Sequence, residues 1–106
     1  MKFDIESTVK SMVSAAKGSV GDDAPEAKET AQQFLEMNKN RLAKLAQYRI
    51  TGKLSAEDFK SRMEDERKML EAQFNTMKII SKVMAQNAAN AAIRVLEDAV
   101  QAALSI

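Results

Sequence analysis

Apolar residues recur along this chain at the spacing of an α-helix. Ile5, Val9, Met12, Val13, Ala16 and Val20 follow the i, i+4, i+7, i+8 rhythm of one helical face. Ala27, Ala31, Phe34, Leu35, Leu42, Leu45 and Ala46 share an arc of about 120° on a wheel turning about 100° per residue. A third stripe carries Phe59, Met63, Leu70, Phe74, Met77, Met84, Ala88, Ala92, Val95, Ala99 and Ile106. Its spacing averages about 3.6 residues per turn, so it stays straight with hardly any supercoil.

Glycine and proline punctuate these stripes. Gly18 to Pro25 reads as a polar loop, and Pro25 suits the first position of a helix. Glu26 and Glu29 follow in the first turn, where acids complement the helix dipole. Gly52 supplies the left-handed conformation that closes a helix, and Ser55 with Asp58 resembles a capping box. Three helices are predicted, near 3–17, 25–51 and 55–105. The expected fold is all-α, one domain over 1–106: an elongated hairpin of the second and third helices, with a short first helix.

The third segment contains neither Gly nor Pro from Ser55 to Ile106. One helix of about 50 residues would be about 75 Å long, against a radius of gyration of about 13 Å for a compact domain of this size. The unbroken stripe favours this rod over a break near Gln86 to Asn90. Beyond Ile79 a second apolar stripe runs through Ile79, Val83, Ile93, Val100 and Leu104, with Gln86 in register, roughly 140–200° from the first. A helix apolar on two sides needs two partners. The first helix, about 15 residues, is too short to cover both sides, so a second copy of the chain is expected there. The interface would comprise Ile79, Val83, Gln86, Asn90, Ile93, Val100 and Leu104, with Asn87 and Asn90 fixing register as buried asparagine does in coiled coils. The competing arrangement folds the first two helices back over everything within one chain.

Composition narrows the chemistry. The 106 residues include no Cys, His or Trp, and 16 cations against 15 acids leave a net charge of +1. No thiolate nucleophile, disulfide or Cys-based metal site is available, and the commonest general base and transition-metal ligand are missing. No Gly-rich phosphate loop occurs. Enzymatic activity, cofactors and metals are therefore not expected. The acids Glu57, Asp58, Glu64, Asp65, Glu66 and Glu71 read as a solvated face of the third helix, with Glu66 at its edge opposite Arg41 or Leu42 if the hairpin is in register.

The stretch 39–53 holds Lys39, Arg41, Lys44, Arg49 and Lys53 and no acid. These cations scatter around the helix and sit in its last turns, where the dipole favours them, so no nucleic-acid partner is expected. Asn38 and Arg49 interrupt the apolar arc of the second helix. With Asp58 and Glu66 they are expected to form polar contacts that set the register of the hairpin.

The N-terminus interleaves acids with apolar residues, and Ile79 to Ile106 carries Lys82, Arg94, Glu97 and Asp98. Neither reads as a secretory signal or a transmembrane span, which makes a cytoplasmic setting the expectation, with signal-less export compatible. The functional expectation is a non-catalytic assembly or adaptor protein, for example structural, chaperone-like or immunity-type. It would self-associate through the C-terminal half of the third helix and could take a further helical protein as partner. The alternative is a peripheral binder of membranes or other apolar or anionic surfaces, using an amphipathic helix such as 3–17.

Overall fold

A computed structural model describes residues 3–20, 25–77 and 80–105. The described residues are helical apart from short connections and contain no strand. Among the described residues there are four helices rather than three: α1 (Ile5–Val20), α2 (Pro25–Ile50), α3 (Ala56–Asn75) and α4 (Lys82–Leu104). The expected helix over 55–105 is two helices, and the break lies near 76–81, upstream of Gln86. Gly18, expected in a loop, lies within α1.

No glycine or proline makes the α3–α4 break; hydroxyl side chains do. Thr76 caps α3, its backbone N–H reaching the Gln73 and Phe74 carbonyls while its hydroxyl donates to the Gln73 oxygen at 2.6 Å. Ser81 stands in extended conformation as the N-cap of α4, its hydroxyl accepting from the Met84 N–H at 3.1 Å. Ser and Thr offer the backbone alternatives to continuing a helix. The other hairpin turn follows its expected chemistry. Gly52 has φ +85°, in the left-handed region, and the Ser55 hydroxyl accepts from the Asp58 N–H at 3.1 Å.

Folding α4 back replaces the 75 Å rod with a bundle measuring 41 × 23 × 21 Å, whose radius of gyration is 13.4 Å. Each helix packs on its sequence neighbours, and α1 packs on α4 to close the ring. The cross-helix pairs Glu6–Lys39 and Arg41–Glu66 fix antiparallel registers for α1–α2 and α2–α3. This is the up-and-down four-helix arrangement. One core runs through all four helices, with Met12, Leu35, Leu42, Leu70, Phe74 and Leu96 among its fully buried members.

The apparent two-sidedness of α4 resolves into one wide face. Its buried residues, from Ala88 through Ala85 and Leu96 to Ile93, span an arc of about 140°. One edge of that arc takes Ala88 and Ala92 from the first stripe and the other takes Ile93 and Val100 from the second, while Val83 and Gln86 lie beyond it and are exposed. Ile93 and Val100 line clefts with Met63 and Phe59 of α3. The opposite edge, with Ala88 and Ala92, is left for α1. Ala16, Ala88, Ala89 and Ala92 are all fully buried, and side chains this small let neighbouring helices approach closely.

Candidate functional site

The seam between α2 and α3 departs most from a simple inside–outside division. A groove of about 420 Å³ lies along it, lined by Thr30, Gln33, Phe34, Met37, Met69 and Gln73 together with Asn38, Arg41 and Ala72. Phe34 forms part of its floor and belongs to the core. Met37 and Met69, on its two walls, are 81% and 41% exposed. Burying a methionine of this size would stabilise it by about 1.5–3 kcal/mol, and its unbranched thioether adapts to varied surfaces.

A charge pair spans the groove at one end. The Arg41 Nε and Nη2 donate to the two Glu66 carboxylate oxygens at 2.9 and 2.8 Å, a bidentate fork. Glu66 is 4% exposed, whereas the Arg41 side chain is 45% exposed. The hydrogen bond to Glu66 raises the Arg41 pKa above its ordinary value, so the guanidinium stays charged and the groove gains no net charge from the pair.

The other residues expected to make hairpin contacts are placed differently. The Asn38 amide donates to the Phe34 carbonyl at 2.8 Å within α2 and does not cross to α3. No hydrogen bond or ion pair joins Arg49 to Glu57 or Asp58 among the described residues. Arg49 instead borders a cleft with Ala56, Phe59 and Glu97, while Asp58 is exposed in the first turn of α3.

The residues expected to form an oligomer interface also separate. Ile93 and Val100, at 3% and 2% exposure, are covered within the chain, and Leu104 is half-buried. Val83, Gln86 and Asn90 are exposed, and Ile79 lies outside the described residues. Of the expected interface residues that are described, Val83 is the apolar one exposed to solvent.

Much of the basic stretch is already engaged. Lys39 contacts Glu6 at 2.7 Å and Glu36 at 3.5 Å, and the hydrogen bond to Glu6 leads the causes that raise its pKa. Arg41 serves Glu66, and the Lys53 ammonium stands 5.4 Å from the centre of the Tyr48 ring. On the α3–α4 side, Arg67 is held by Glu64 and Glu71. Glu97 borders a neighbouring cleft with Lys60 and Arg94. Burial, then the nearby Asp98, pushes the Glu97 carboxyl above the usual carboxylate range.

Sequence reasoning missed the α2–α3 groove, although Met37 lies outside the apolar arc of the second helix and was legible as an outward-facing methionine. Among the described residues, no group of three or more Asp or Glu is placed to hold a metal ion, and no helix is long and apolar enough to cross a membrane. No protein-family model matches the chain, and no curated protein or solved structure matches it.

Proposed function

We propose that this chain is a non-catalytic helical interaction protein, of the assembly or adaptor kind, that presents its α2–α3 face to a protein partner. The observation that carries the reading is Met37, 81% exposed on the wall of a groove floored by Phe34. Isolated apolar surface residues are ordinary; an exposed methionine pair flanking an apolar-floored groove marks a surface suited to contact. The alternative reading, a membrane binder acting through the first helix, is less well supported. Val9, Met12, Val13 and Ala16 of α1 are turned into the bundle, so that face is committed to the fold.

Cross-linking capture with the intact chain tests the proposal. The double variant Met37→Glu/Met69→Glu should remain folded and lose the proteins that the wild type captures. Capture that is indifferent to both substitutions would refute it.

A further inference from the structure

We infer that the α2–α3 groove receives α2 of a second copy of this chain, in a two-fold antiparallel dimer. This deepens the interaction reading above and rests on it.

A two-fold contact must be self-complementary: whatever one copy presents, the same face must accept. The α2 face meets that condition in shape. Its most protruding apolar side chain, Met37, stands beside the groove bordered by Gln33, Phe34 and Met69, so each copy supplies one knob and one hole. The face also meets the condition in charge. Glu26, Thr30, Gln33, Met37 and Lys44 fall within about 60° of arc around α2. They place an acid at one end, a cation at the other and uncharged residues between. No ion pair joins Glu26 or Lys44 to another described residue. The charge that does reach the groove, Arg41, is already neutralised by Glu66.

Antiparallel pairing about an axis level with residue 35 satisfies all of these groups together. Met37 then meets Gln33 and the groove of the second copy, and Glu26 meets Lys44 of the second copy at both ends. A parallel arrangement would set Glu26 against Glu26 and Lys44 against Lys44. An unrelated helix would need this same order of charges. The contact is centred on one helix pair rather than on a broad face, so the dimer is expected to form and dissociate with concentration.

Sedimentation equilibrium on the intact chain, from micromolar to millimolar concentration, tests the inference. The wild-type mass should rise toward two chains. Met37→Glu, at a solvent-exposed position that leaves the core intact, should weaken association by at least about a hundredfold by placing a carboxylate in the contact. E26K or K44E alone should weaken it about tenfold, because two ion pairs turn repulsive, and the double variant E26K/K44E should restore it. Circular dichroism confirms that each variant keeps its helices. A wild type that stays monomeric at millimolar concentration overturns the inference, as does dimerisation unchanged by Met37→Glu. Either result leaves the interaction reading intact, because the capture experiment reads the face independently of self-association.

Discussion

Glu66 and Arg41 form one ion pair whose two members sit in different environments. Glu66 is almost sealed beneath the α2–α3 seam, whereas the Arg41 side chain is nearly half exposed. Arg41→Ala would leave a buried carboxylate without its cation and should cost about 3 kcal/mol in urea denaturation. Glu66→Met removes the buried charge and frees an arginine that can hydrate, so it should cost within about 1 kcal/mol. Equal costs would contradict the assigned burial. Glu97 makes a second residue-scale prediction. Its folded-state pKa is raised, first by burial, so its charged form is less favourable in the folded chain than in the unfolded one. The resulting penalty is absent below the ordinary carboxylate pKa and sets in as pH rises through the raised value. Glu97→Gln should therefore increase the melting temperature at pH 7, with the gain disappearing in acid. Polar residues inside an apolar arc were legible as exceptions in the sequence. What Asn38 and Arg49 would contact was not, because it depends on helix register and on rotamers that the spacing leaves open.

At the scale of an element, the two hairpin turns differ in how they are written. The α2–α3 turn carries Gly52 and Ser55, a left-handed residue and a cap, and both signals stand out in the sequence. The α3–α4 break depends on the hydroxyls of Thr76 and Ser81. On paper these read equally well as polar positions on the outside of a continuous helix, and an apolar stripe that keeps phase across them disguises the break further. Ser81→Ala should cost about 1 kcal/mol. For a domain of this size that lowers the melting temperature by about 4–8 °C. An unchanged melting temperature would mean that Ser81 does not anchor the start of α4.

For the whole molecule, the consequence of that break is the direction of α4. A rod would have left its Ala- and Leu-bearing face without cover in its own chain. Reversal lays the same face between α1 and α3, and α1, only 16 residues long, suffices because it covers one edge of a single arc. The helical stripes, the antiparallel α2–α3 hairpin and the absence of histidine and cysteine chemistry were determined by the amino-acid order itself, since each follows from local periodicity or residue identity. The reversal near 76–81, the sealing of Ile93 and Val100 inside the bundle, and the groove left between Met37 and Met69 were decided only in three dimensions. Burying apolar surface rewards whichever arrangement covers the most of it. That sum runs over all four helices at once, and no single stripe contains it.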